Sequence, residues 1–152
     1  MAKFIFRAEA ALGMRRKKED EARLIMADAQ RRAQLAEEDL QRAQQRVIDA
    51  TRRAAEEERQ ATDPVLAIWY RNWIKKQQRD VARGAQVLDG RRAEVQAAEQ
   101  RVMEAHRAVR ALEKLKEKAW DRYTHDERKT EQKEIDLLGV MQYAMRHRGD
   151  RS

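Results

Sequence analysis

Cysteine is absent from the 152 residues of this sequence, proline occurs once and glycine five times. Without cysteine there is no disulfide framework, no thiol nucleophile and no thiolate metal site, a composition that fits a reducing compartment. With so few turn-forming residues there is little room for strands joined by tight hairpins. Aromatic side chains make up only 5% of the residues, fewer than an ordinary globular core would need. No run approaches the roughly 18 apolar residues of a membrane-spanning helix, and residues 1–7 lack the apolar stretch of a secretory signal. The expected location is cytoplasmic, with no membrane insertion.

What fills the chain is charge and helix formers. Charged residues are 40% of the sequence, 34 basic against 27 acidic, for a net charge of +7. The two signs alternate almost everywhere, as on a solvated helix surface, and the basic excess shows mainly at Arg15, Arg16, Lys17 and Lys18 and again at Arg146, His147 and Arg148. Such a composition would suit disorder were the apolar residues scattered, but they are regularly spaced.

Alternate steps of four and three from Ala22 reach Met26, Ala29, Ala33, Ala36, Leu40, Ala43, Val47, Ala50, Ala54, Glu57 and Ala61. The same counting from Ala67 runs through Tyr70, Ile74, Gln77, Val81, Gly84, Leu88, Arg91, Val95, Ala98, Val102, Ala105, Val109, Leu112, Lys116 and Ala119 to Tyr123. These are two heptad seams of matching period. Between them lies Ala61-Thr62-Asp63-Pro64, the strongest helix-breaking signal between Gly13 and Gly84. Proline cannot sit inside a helix but suits its first turn, and Thr62 or Asp63 can cap the amides that the new helix leaves open. A connection this short places the two helices side by side and antiparallel.

The expected fold is therefore all-α: a long antiparallel two-helix coiled-coil hairpin whose second helix is longer than the first. Residues 1–61 form the first helix, which begins near Lys3; residues 62–64 form the turn; residues 65–146 form the second helix with a C-terminal overhang; and residues 147–152 form a basic tail. Folding about the turn faces Ala54 with Ile74, Val47 with Val81, Leu40 with Leu88, Ala33 with Val95 and Met26 with Val102, to within about one helical turn. The same register sets Phe4 near Tyr123. Arg15, Glu19 and Lys116 interrupt the seams at the free end, which is expected to be less tightly zipped. Phe4, Phe6, Leu12, Ile135, Leu138, Met141 and Met145 would then be open to a partner.

Chemistry-bearing patterns are few. His106, His125 and His147 never share an i, i+4 pair, which argues against a metal site. Gly84 and Gly90 stand alone and read as close-contact or flexible points rather than a phosphate loop. Carboxylates on a two-helix rod have no cleft to shift their pKa values, so neither a catalytic residue nor a cofactor is expected. A pI near 9.9 permits nucleic-acid binding, but no aromatics interleave an all-basic stripe, and nucleic acid is not an expected partner. Trp69, Tyr70 and Trp73 cluster just after the turn. Either the two tryptophans cap the turn by packing around Arg53 and Glu57, or they form a binding hot spot.

The opening Lys3, Phe4, Ile5, Phe6 and Arg7, with Leu12 and the basic Arg15 and Arg16, resembles the Phe-x-Phe-Arg-Leu start of the flagellar FliJ family, with Ala8 in place of the usual leucine. Near the other end, residues 112–118 (LEKLKEK) and 127–136 (ERKTEQKEID) are similar to that family's Leu-Glu-x-Leu-Lys-Glu and Glu-Gln-Lys-Glu-x-Asp-Glu segments. The departure is Leu137-Leu138-Gly139, where the family tends to carry an acidic residue and small apolar ones.

The resemblance implies a non-catalytic central-stalk and escort protein of the flagellar type III export apparatus, cytoplasmic and peripheral to the membrane-bound machinery. It implies that the end carrying both termini enters the export ATPase ring, for which Phe4, Phe6, Arg7, Arg15, Arg128, Lys133 and Tyr143 are the candidate contacts; a frayed terminus with ordinary surface charges is the competing reading. It implies that the turn end meets the cytoplasmic domain of the export-gate protein, with Trp69, Tyr70 and Trp73 as candidates, and that export chaperones are further partners. The stalk of a virulence-type secretion system, a general coiled-coil adaptor and a nucleic-acid-binding hairpin are the alternatives.

Overall fold

The computed structural model describes residues 3–60 and 63–150, and two helices account for nearly all of them. The first, α1, spans Glu9–Gln60, and the second, α2, spans Pro64–Gly149. At 86 residues against 52, α2 is the longer. No proline interrupts either interior, and no described residue is in a strand.

The ends are set by local chemistry. Asp63 caps α2, its Oδ1 accepting a hydrogen bond from the Val65 amide at 3.0 Å, with Pro64 in the first helical position where its missing amide hydrogen costs nothing. Of the two cap candidates this is the one that can be placed, because Ala61 and Thr62 lie outside the described residues. The helix α1 starts at Glu9 rather than near Lys3. The Glu9 amide donates to the Phe6 carbonyl at 3.1 Å, and the chain before it is drawn aside by Phe4, whose ring packs on Trp120 and Tyr123. At the far end α2 continues past Arg146 to Gly149, so residues 147–149 of the expected basic tail are helical. Arg146, His147 and Arg148 occupy its last turn, where positive charge complements the helix dipole.

The chain divides into two compact units: residues 17–106, which include the turn, and residues 1–16 with 107–152, which carry the terminal segments. Within the turn unit the seams are the core. Ala29, Ala36, Ala43 and Ala50 are buried on α1, Leu88 and Ala98 on α2. Every described member of the two counted seams in this unit is buried or half-buried except Ala67. Small side chains allow close approach, and one position shows how close. A Cβ added to Gly84 would stand 3.3 Å from Leu40 Cδ1 and 3.7 Å from its Cα. Leu40 therefore meets Gly84, four residues before Leu88, a shift of one helical turn from the sequence register that puts the bulky leucine over the one residue lacking a side chain. Gly90, by contrast, faces open space.

Two polar side chains interrupt this core. Gln77 is 7% exposed and its Oε1 has no hydrogen-bond partner, which costs free energy that an apolar residue would not. Glu19, also 7% exposed, is partnered at one oxygen: Arg23 donates to its Oε1 from Nη2 at 2.6 Å and from Nε at 3.2 Å, and His106 Nδ1 approaches the same oxygen at 3.0 Å across the helix pair.

In the terminal unit the seam is also closed, contrary to the expectation of a loosened free end. Leu12 is fully buried and Val109 nearly so, so Leu12 is not open to a partner. Lys116 does not disrupt the pairing but spans it, its Nζ 2.8 Å from Glu9 Oε2. Glu113 receives Arg16 at 3.6 Å and Arg110 at 2.7 Å. Arg15 points away from the seam and is exposed.

The hydrogen bonds from Arg23 and then from His106 hold the Glu19 carboxyl below its ordinary pKa of 4.5. A carboxylate favoured in the folded state stabilises the fold above that value, and the contribution disappears as pH falls through and below it. In urea unfolding, the stability gap between the wild type and Glu19→Gln should be present above about pH 4.5 and close as pH falls below it. A gap that did not change across the acid range would contradict the assignment.

Candidate functional site

Two aromatic clusters stand out against the sparse aromatic content, one in each unit. In the turn unit, α2 sets Trp69 and Trp73 one turn apart, with ring centroids 5.3 Å from each other, and Tyr70 lies 5.1 Å from Trp69 in an edge-on arrangement. Tyr70 turns inward. With Ala54 and Glu57 of α1 and Leu66 and Ile74 of α2, it lines a cleft of ≈ 200 Å³. The tryptophans do not line it; Trp73 is half-buried and Trp69 is 55% exposed. Tyr70, rather than either tryptophan, shares this cleft with Glu57, and a broad indole face of Trp69 is left in water beside exposed Ile68 and Val65.

In the terminal unit, Phe4 meets Trp120 at 5.1 Å and Tyr123 at 5.4 Å, the neighbour that the sequence register set for it. Trp120 was not among the sequence candidates, although it lies three residues before Tyr123 and so on the same helix face. Phe4 and Trp120 line an open cleft of ≈ 550 Å³ with Arg16, Glu113, Lys116 and Glu117. The other candidates are not gathered there. Phe6 is half-buried, while Arg7, Arg15, Arg128 and Lys133 are exposed. Tyr143, 65% exposed, stacks on His147 with centroids 4.0 Å apart. It lies twenty residues beyond Tyr123 on the same helix, roughly 30 Å along the axis.

The Glu19–His106 pair was also missed. Glu19 was visible as a polar seam residue, but His106 stands beside the seam member Ala105 rather than on the seam, so spacing alone gave no sign of it. Among the described residues, no group of three or more His, Asp or Glu side chains is placed to hold a metal ion, and no helix is long and apolar enough to cross a membrane.

Comparison with known proteins places the chain in a family. The family described as "Flagellar FliJ protein" matches residues 9–148. The chain belongs to the FliJ family. That membership makes it a component of a flagellar or type III export system, in a family whose members are non-catalytic. Among solved structures, a putative YscO homolog from Chlamydia trachomatis is similar at 16% identity, with a TM-score of 0.46, over 96% of this chain and 99% of that one. No curated protein matches.

The two clusters should respond differently to truncation. Phe4→Ala removes a ring held by two aromatic partners and should lower the unfolding free energy by about 1–2 kcal/mol, while Trp69→Ala, mostly in water already, should change it by less than about 0.5 kcal/mol. Chemical denaturation of both variants checks this, and the reverse order would contradict the burial assigned to each ring.

Proposed function

We propose that this chain is the non-catalytic central stalk of a flagellar type III export ATPase complex, acting in the cytoplasm at the periphery of the membrane-bound export apparatus. Its terminal end enters the ATPase ring, where Phe4, Phe6, Arg7, Arg15, Arg128, Lys133 and Tyr143 make the contacts. Its turn end meets the cytoplasmic domain of the export-gate protein through Trp69, Tyr70 and Trp73. Export chaperones are further partners, served in an escort role. Family membership across residues 9–148 supports the assignment to an export system.

The observation that carries the finer reading is the exposed indole of Trp69. A two-helix coiled coil gains little from a tryptophan left in water, whereas a partner that covers it gains a large rigid apolar face. The basic side chains of the terminal unit suit acidic loops in a ring, and the seam closed by Leu12 and Val109 leaves Arg7 and Arg15 exposed. In this reading the hairpin is an asymmetric shaft in a symmetric ring. It favours ring assembly and links nucleotide turnover to events at the gate.

Trp69→Ala with Trp73→Ala should leave the helix content unchanged and weaken gate binding at least thirtyfold, the equivalent of about 2 kcal/mol for a hot spot. Export-ATPase turnover should rise when the intact chain is added and should not rise with a chain lacking residues 1–7 and 127–152. Gate binding by the double variant at full strength would remove the turn-end assignment; stimulation by the truncated chain would remove the ring assignment.

A further inference from the structure

From Arg128 to Gly149, every residue of α2 is exposed. The middle of this stretch is unlike the charged helix before it. Ile135, Leu138, Val140, Met141, Tyr143 and Met145 are between 50% and 74% exposed. At about 100° per residue they point in most directions around the axis, and a helix apolar on so much of its surface is stable when something covers it.

The charges around the patch indicate what covers it. Glu131 and Glu134 precede it, and Arg146 and Arg148 follow it. At coiled-coil spacing the stretch reads Glu131, Glu134, Leu138, Met141, Met145 and Arg148. Reversed and laid against itself about the Gly139–Val140 bond, this series pairs Leu138 with Met141, Glu134 with Met145 and Glu131 with Arg148. Apolar side chains meet in the middle and opposite charges meet at both ends. Parallel pairing would instead set Glu131 beside Glu131 and Arg148 beside Arg148, which is repulsive.

We propose that residues 131–148 bind the same segment of a second copy of this chain as an antiparallel, two-fold symmetric helix pair. The interface is self-complementary: what Glu131 of one copy gives to Arg148 of the other is returned by symmetry. Free chains are held in pairs by a segment of the terminal end, so that a paired chain is withheld from any ring and separation precedes insertion. The pairing itself does not depend on the stalk reading, because it is measured with the chain alone.

Sedimentation velocity of the full chain is the test. The mass should move from 18.0 kDa toward twice that value as concentration rises. Leu138→Glu with Met141→Glu should stay monomeric. Glu131→Arg or Arg148→Glu alone should weaken pairing by roughly tenfold, since each swap sets like charges together at both ends of the pair, and the two together should restore it. Far-UV circular dichroism confirms that the hairpin persists in each variant. A chain that stays at 18.0 kDa throughout, a dimer indifferent to Leu138 and Met141, or single swaps that the double swap fails to rescue would each overturn the proposal. Amide protection of residues 135–145 that appears only when an export ATPase is added would overturn it in favour of the ring.

Discussion

Two helices can run side by side at short distance only where nothing large stands between them. The helix α1 meets that condition by burying Ala29, Ala36, Ala43 and Ala50 along one edge. Each methyl contributes on the order of 0.8 kcal/mol of burial, less than half of what a leucine would give. The seam therefore gains stability through repetition rather than through any one layer. Where a large residue does occur, the partner makes room, as Gly84 does for Leu40. That pairing fixes which residues face each other through the turn unit, and hence which side chains are left to the outside.

The polar interruptions follow from the same close packing. A charged side chain caught in a narrow seam must find partners at once, and Glu19 takes both Arg23 from its own helix and His106 from the other. Lys116 reaches Glu9 in the same way in the terminal unit. A slip of one turn would take His106 away from the buried Glu19 carboxylate and leave it to Arg23 alone. Gln77, with an unpartnered oxygen, shows the cost of a polar seam residue that finds no such answer.

Much of this was legible in the sequence because it depends on period and on a single break. The seam counted from Ala22 and from Tyr70 is the one that is buried, Asp63 and Pro64 start the second helix, and Phe4 lies by Tyr123. The register itself came out one turn away, because counting cannot weigh Leu40 over Gly84 against Leu40 beside Leu88. The helix start was placed too early because Phe4 is held by side chains more than a hundred residues distant in sequence, a pull that no local propensity reveals. The buried Leu12 and the Glu19–His106 pair were hidden for a related reason. Both depend on what the opposite helix presents, not on what precedes or follows in the chain.

For the surfaces, the sequence marked the aromatic residues near the turn but not their division of labour, with Tyr70 packed inward and Trp69 left to water. Each of these features depends on one chain folding back upon itself in the register set by Leu40 and Gly84. The most direct test is a spin-label distance between Leu35 and Val87, which are both exposed and line one groove of the turn unit. The account expects a short distance, corresponding to helix axes about 8–10 Å apart plus the label arms, unchanged when labelled protein is diluted with unlabelled chain. A long distance, or a short one that vanishes on dilution, would contradict it.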